Sequence, residues 1–500
     1  MRGTTRLAAA LLAGAAISSA LPPGGWWPLA IVGVALWGWA LQNLSWAGRL
    51  GVGALIGGTY FAIALAWVPE FTLPGYFLLA ALQTAFWGLA SVMALGRWAP
   101  VGLAGALVLA EAARSNFPFE GLPLAGVDLG QAGGPLLWVA RLGGGYAVTL
   151  AAGLLGGAVA LAASRRWSAV IPAGVACLLA LGGWLSPAGH NVGDPLRVAV
   201  VQGGGPRGFR GVDTDFSEVL DRHLEATESI EGDVDLVLWP ENSITLGRDP
   251  GPQPPPDVHK GPLPEPRPEM QLVHRAVERV DALVVAGVVE PSGPDAFINA
   301  AVAFVPGGTQ HSVMKAIRVP FGEYIPFRSF VDRFADLSAI PSEALPSDDK
   351  GLLETTTGKF AVAISYEVFF TQKTRDAVNL GGSIVLVPTN AASFRTSQVP
   401  GQELAAARLR AVETGRWLLQ AAPTGYSAIV TPRGQVTQRS ALSEQEVLTA
   451  QVSRRSGQTP YAATGPWPAL GLAAAITGLC GIGARKPRAG RSAGKPAGKT

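Results

Sequence analysis

The sequence predicts a polytopic α-helical membrane domain, then an α/β domain, then one closing membrane helix. Three observations carry that prediction. The chain has 500 residues, 48% hydrophobic and only 15% charged, with a mean hydropathy of +0.28, whereas soluble domains carry about 25% charged residues. The charges are segregated, 56 of the 75 falling between Arg197 and Arg455. From Leu196 the pattern also changes, to short β-branched runs alternating with amphipathic stretches.

A helix needs about 20 apolar residues to cross a bilayer. The expected spans are Thr5–Leu21, Trp27–Leu44, Gly51–Val68, Gly75–Leu95, Ala99–Ala113, Gly144–Ala163, Ser168–Leu185 and Trp467–Ala484. The first has Arg2 and Arg6 ahead of an apolar run, as a signal peptide would, but the spans that follow favour a retained helix. Positive charge in connecting segments marks the cytoplasmic side. Arg2 and Arg6, Arg49, Arg97, Arg165 with Arg166, and the Lys/Arg-rich end fall in alternate connections, while the others carry Glu70, Glu111, Glu120 and Asp128 or no charge. Both termini are therefore expected in the cytoplasm and the domain from Pro195 to Arg455 outside it.

Between spans five and six lies EAARSNFPFEGLPLAGVDLGQAGGPLLWVARL, too polar to span and too apolar for an ordinary loop. Glu111 and Arg114, three apart, share a helix face and can pair. Either they form a structural ion pair at a helix end, or the segment is a re-entrant arm lining a lipid-facing cavity, where non-helical backbone is tolerated. The expected organisation is transmembrane helices over 1–194 with an arm near 114–143, the α/β domain over 195–455, a C-terminal helix over 456–484 and a basic tail over 485–500.

In the second half, LRVAVVQ, VDLVLWPE, ALVVAGVV, AAVAFV, KFAVAISYE, SIVLVPTN, YSAIV and EVLTAQV read as strands. Their continuous apolar character predicts cover on both faces. Phe216–Ile230 and Pro268–Val280 read as helices, and Asp249–Pro268 as a Pro-rich loop. Strands alternating with helices argue for an α/β domain.

Composition also excludes some chemistry. The net charge of +3 is too small to argue for nucleic acid. The two cysteines, Cys177 and Cys480, lie in apolar segments, so the α/β domain has no disulfide, no thiolate-bound metal and no cysteine nucleophile. The five histidines show no metal-ligand spacing and read as surface residues. No cofactor is expected.

Three motifs fall at strand ends, where α/β folds gather catalytic groups. LVLWPENSI presents Glu241; MKAIRVPFGEYIP presents Lys315 and Glu323; AVAISYEVFF presents Ser365, Tyr366 and Glu367 on a predicted buried strand. Together they resemble the Glu–Lys–nucleophile constellation of the nitrilase superfamily, whose fold is an αββα sandwich. With the membrane spans, VAVVQGG, ARLRAVETGR around Glu413 and TPYAATGPWP before the last helix, the chain resembles the apolipoprotein N-acyltransferase family over nearly its whole length.

The resemblance implies ping-pong acyl transfer from a phospholipid donor to the N-terminal amine of a lipoprotein acceptor. It implies Glu241 as base, Lys315 with the backbone N–H of Tyr366 as oxyanion stabiliser, Ser365 at the nucleophile position, and Glu323 and Glu367 orienting Lys315. For Glu323 a structural ion pair and direct chemistry both fit.

Two departures stand out. The family's nucleophile is a cysteine, and a segment resembling NDAWFG reads NAASFRT here, with Ala391, Ser393 and Arg395 in place of Asp, Trp and Gly. A serine hydroxyl is a weaker nucleophile than a thiol, so acylation at Ser365 is expected to be slow and Ser365→Cys to speed it. A degenerate homologue that binds lipoprotein or acyl chains without turnover, and a membrane-anchored carbon–nitrogen hydrolase, are the rival expectations.

Overall fold

A computed structural model of the chain describes residues 3–206, 215–247, 268–333, 337, 340, 342–394 and 398–485. The basic tail beyond Arg485, most of the Pro-rich loop, and Arg395 with Thr396 lie outside the described residues.

The N-terminal half is helical: α1 (Gly3–Ala20), α2 (Trp27–Ala40), α3 (Trp46–Ala64), α4 (Leu73–Met93), α5 (Ala99–Arg114), α6 (Ala140–Ala163) and α7 (Val170–Leu185). Helix starts follow capping chemistry rather than hydropathy. Ser45 Oγ accepts from the Gly48 N–H, and Thr72 Oγ1 from the Gly75 N–H. Hence α3 begins five residues, and α4 two, before the spans expected from Gly51 and Gly75. Among the described residues, four helical segments are long and apolar enough to cross a bilayer: Trp46–Ala64, Leu73–Met93, Pro135–Ala163 and Trp167–Leu185. Trp27–Ala40 and Trp467–Ile482 are shorter apolar helices. Phe77, Leu78, Leu178 and Trp184 are exposed on this bundle, an apolar surface suited to lipid rather than water.

The segment between α5 and α6 is non-helical except for 3₁₀ turns at Leu129–Gln131 and Pro135–Val139. Arg114, fully buried, organises it. Its guanidinium pairs with Glu111 at 2.7 Å and donates to the carbonyls of Leu122, Leu124 and Ala125 at 2.7–2.9 Å. Carbonyls that a helix would satisfy internally are here satisfied by one side chain. α6 is broken at Gly143–Gly144, with φ +68° at Gly144. A Cβ there would stand 2.8 Å from the Tyr461 ring, so both the conformation and the close approach require glycine.

The α/β domain adds strands β1 (Leu196–Gln202), β2 (Leu236–Leu238), β3 (Leu283–Pro291), β4 (Ala296–Val305), β5 (Gly308–Met314), β6 (Leu352–Glu354), β7 (Lys359–Val362), β8 (Val385–Pro388), β9 (Leu418–Ala421), β10 (Ala428–Val430), β11 (Val436–Arg439) and β12 (Glu446–Val452). Its helices include α8 (Phe216–Glu228), α9 (Pro268–Val280), α10 (Thr371–Asn379) and α11 (Gln398–Thr414), and α12 (Trp467–Arg485) closes the chain. One sheet runs β12-β1-β2-β3-β4-β5 and the other β11-β10-β9-β8-β7-β6. The order within each reflects parallel β1-β2-β3 and β7-β8-β9 cores flanked by antiparallel strands.

Alternation along β1 explains the stacking. Val198 and Val200 meet Phe360, Leu386 and Leu419 between the sheets, while Ala199 and Val201 face Leu220 of α8 and Val273 of α9. The outer face of the second sheet, with α11, packs in one core with the membrane helices. The result is an αββα sandwich seated on the helical half. His190–Asn191 pairs with Arg455–Ser456, so the domain's two ends meet above the bundle.

Three expectations need correction. β6 and β11 fall outside the expected strands, and so does β5. It is a mostly polar edge strand, made by the hairpin at Gly307–Gly308, and carries no apolar run to betray it. The strand predicted through Ser365 ends at Val362, and Ser365–Phe369 is a 3₁₀ turn. The Glu367 carboxylate accepts the Ile364 N–H at 2.8 Å, drawing the backbone out of the ladder. His223, expected on the surface, is buried: its Nε2 accepts from the Gly203 N–H. Burial lowers its pKa to about 4, so it is neutral and structural.

Candidate active site

Glu241 sits just beyond the end of β2, where Pro240 and Asn242 crowd against Gly287. Lys315 follows β5, and its backbone N–H is held by the Asn299 carbonyl at 2.9 Å. The residue is 3% exposed. The Lys315 ammonium donates to Glu241 Oε1 at 2.8 Å and to Glu323 Oε1 at 2.6 Å. Asn299 Nδ2 donates to the same two oxygens, at 2.8 and 3.3 Å. Glu323 Oε2 accepts the Val319 N–H at 2.8 Å, which curls the VPFGEY loop around its own glutamate.

Two carboxylates thus share one buried cation. Burial opposes the charge on Lys315, but Glu241 and Glu323 outweigh it and hold the ammonium above the usual lysine range. Burial raises Glu323 above the usual carboxylate range; Lys315 pulls it down and the Glu241 charge adds to the rise.

Ser365 opens the 3₁₀ turn with φ +52°, a left-handed conformation costly for a residue with a Cβ and often found at functional sites. The turn lifts its hydroxyl out of the sheet. Thr389 Oγ1, just past the end of β8, hydrogen-bonds Ser365 Oγ at 3.4 Å and donates to Glu403 Oε1 at 2.8 Å. Glu403, on α11, is 3% exposed. Burial lifts its pKa to about 7. The Thr389 hydrogen bond and the Lys315 charge oppose that rise, and the Glu241 charge adds to it. The charges of Glu241 and Lys315 are thus felt at Glu403. No hydrogen bond joins Ser365 to Glu241 or Lys315 among the described residues.

Glu367 does not reach the Lys315 ammonium. Its Oε1 accepts the N–H groups of Ala316 and Ile317 at 2.7 and 3.0 Å and lies 3.4 Å from Lys373 Nζ. It ties the chain after Lys315 to the turn that carries Ser365, and positions the lysine through the backbone. The Tyr366 hydroxyl donates to the Gly121 carbonyl at 3.0 Å, joining that turn to the arm between α5 and α6. In the altered loop Ala391 is buried, and the Phe394 ring packs edge-on against Trp67 and Phe71 of the helical half at 5.1 and 5.5 Å.

The sequence motifs omit Asn299, Thr389 and Glu403. Asn299 had a signal, a lone amide in an apolar strand, and so had Thr389, the first polar residue after SIVLVP. Glu403 had none: α11 is buried on nearly every side, so its sequence lacks the polar face that marks a helix.

Residues 197–461 match the carbon-nitrogen hydrolase family and residues 13–158 the apolipoprotein N-acyltransferase N-terminal domain. The apolipoprotein N-acyltransferase of Mycolicibacterium smegmatis is 31% identical over 92% of this chain and 82% of its own. That of Photobacterium profundum is 28% identical over 93% of this chain and 92% of its own. Among solved structures, Saccharomyces cerevisiae Nit3, a member of branch 10 of the nitrilase superfamily, is 19% identical, with a TM-score of 0.38 over 54% of this chain and 92% of that one.

Proposed function

The chain belongs to the apolipoprotein N-acyltransferase family, and from that premise we propose that it moves an acyl chain from a phospholipid to a lipoprotein's N-terminal amine through an ester on Ser365. The observation that carries this is the Lys315 ammonium held between Glu241 and Glu323, with Glu367 tying the chain after Lys315 to the strained turn of Ser365.

In the first half-reaction Ser365 Oγ attacks the acyl carbonyl carbon. Negative charge develops on the carbonyl oxygen, and Lys315 with the Tyr366 N–H stabilises it in a site closed to water. The ester bond to the glycerol oxygen then breaks, and a lysophospholipid leaves carrying on that oxygen the proton that Ser365 gave up. In the second half the lipoprotein amine attacks the Ser365 ester, Glu241 takes the amine proton, an amide forms as the Ser365 Oγ–acyl bond breaks, and that proton passes to the departing Ser365 Oγ. Glu323 keeps Lys315 charged and in place, and no metal or cofactor enters either step.

The surroundings of the pocket suit a lipid donor. Phe321 and Phe327 flank Glu323 with 51% and 74% of their surface exposed, and their rings meet that of Phe119 in the arm at 6.3 and 5.7 Å. Exposed aromatics beside a membrane bundle suit the lipid–water interface. On this reading the arm and the VPFGEY loop form the lipid entrance. The membrane orientation, with both termini cytoplasmic and the α/β domain outside, rests on the alternating arginines.

The test is mass spectrometry of lipoprotein N-termini from cells with and without the gene, any paralogue deleted. N-acylated termini that vanish with the gene and return with the wild-type copy but not with Ser365→Ala support the function. Termini unchanged by deletion contradict it.

A further inference from the structure

Glu241 is poorly placed to take the proton of Ser365. Its Oε1 is already occupied by the Lys315 ammonium and the Asn299 amide, and it makes no hydrogen bond to the serine. Thr389 and Glu403 stand on the other side. Thr389 is fully buried, Glu403 nearly so, and Glu403 Oε2 has no hydrogen-bond partner among the described residues. A buried carboxylate with a single hydroxyl donor is a costly arrangement in an apolar helix packing. A purely structural role is filled more cheaply by glutamine or an apolar residue.

We propose that Thr389 and Glu403 form a proton relay that activates Ser365, with Glu403 as the terminal base of the first half-reaction. The inference rests on Ser365 being the nucleophile. As Ser365 Oγ bonds to the acyl carbon, its proton passes to Thr389 Oγ1 and the Thr389 proton passes to Glu403 Oε1. When the ester bond of the donor breaks, a proton returns along the same pair to the departing lysophospholipid oxygen. Atoms and charge balance with no further reactant. The 3.4 Å separation of the two hydroxyls is long for a hydrogen bond, as is common before substrate tightens a site.

The electrostatics suit the role. With Thr389, Glu241 and Lys315 facing it, Glu403 ends near pH 7, where a general base is most effective. The relay also answers the weakness of this nucleophile. A thiol is partly ionised at neutral pH and needs little help, whereas a hydroxyl needs a base. Glu241 is then left for the acceptor amine.

The experiment uses the full-length protein in detergent micelles with an alkyl fluorophosphonate. Ser365 Oγ bonds to phosphorus, fluoride leaves, and the serine proton enters the relay. The labelling rate at Ser365 is followed against pH by peptide mass spectrometry. The native rate rises through about pH 7, tracking Glu403. Glu403→Gln keeps the hydrogen bond from Thr389 but removes that inflection and slows labelling by about 100-fold. Thr389→Val does the same, and Thr389→Ser restores most of the rate. In a Ser365→Cys background labelled with iodoacetamide, Glu403→Gln changes the rate by less than about threefold, because a thiol supplies its own anion.

An unchanged inflection in Glu403→Gln overturns the relay. So does an equal loss in both backgrounds, which marks a structural role. No labelling at Ser365 overturns the relay together with the nucleophile assignment. Glu403-dependent labelling without any transfer from phospholipid leaves the relay standing and overturns the proposed function.

Discussion

The Tyr366 hydroxyl donates a hydrogen bond to the Gly121 carbonyl at 3.0 Å across 245 positions of chain. The residue after the candidate nucleophile is thereby fastened to the arm that Arg114 folds between two membrane helices. Chemistry in the sandwich and geometry in the membrane half are coupled at this contact. Gln402, next to Glu403, makes a parallel link by accepting the Ala125 N–H at 2.8 Å.

Tyr366→Phe removes that bond and leaves the Gly121 carbonyl without its donor, at a cost of about 1 kcal/mol. Because the arm is the proposed donor entrance, the loss is expected mainly as a KM for phospholipid raised about fivefold. Steady-state kinetics in mixed micelles check this; a fall in kcat with KM unmoved contradicts it.

Lys315→Met leaves Glu241 and Glu323 facing each other without a cation. Removing one partner of a buried charge cluster costs about 3–5 kcal/mol. Glu323, already raised by burial, then loses the Lys315 charge that pulls it down, so its folded pKa stands above its unfolded one. Stability is retained below the unfolded value and lost as pH rises through the folded one. The variant should therefore unfold more easily at pH 8 than at pH 5, relative to wild type. Denaturant titrations at the two pH values measure it.

Glu403 gives a test of opposite sense. Its folded pKa of about 7 lies above that of a free carboxylate, so its contribution favours the fold below about pH 4 and is lost as pH rises through 7. Glu403→Gln abolishes that slope. The variant should be more stable than wild type at pH 8, by on the order of 3 kcal/mol relative to the difference at pH 4. A difference independent of pH contradicts the buried ionisation.

Much of this architecture is legible in the sequence because its parts speak in different periods. The apolar helices of the first half and the two-faced strands of the second are set apart by charge, and the glutamate, lysine and serine follow strand ends. What escaped detection has physical reasons. β5 is an edge strand whose polar residues meet water. Ser365 leaves its strand because a carboxylate two residues on captures a backbone N–H, a contact that hydropathy does not encode. α11 is buried on nearly every side, so Glu403 sits in a stretch without a polar face, and its partner Thr389 lies 14 positions away.

On the proposed orientation, Gly193 and the C-terminus lie on opposite sides of the membrane. Reporter fusions at the two positions should be active in opposite compartments. Matching compartments contradict the orientation, and with it the supply of lipoprotein substrates to the domain.

On the proposed mechanism Ser365 carries the acyl chain. The most direct measurement is peptide mass spectrometry of the native protein after incubation with phospholipid vesicles and acid quench. The account predicts a fatty acyl ester on the peptide containing Ser365, absent in Ser365→Ala. A lipopeptide with a free N-terminal amine should discharge it and appear in N-acylated form. N-acylated lipopeptide formed with no ester at Ser365, and formed equally by Ser365→Ala, would contradict the account.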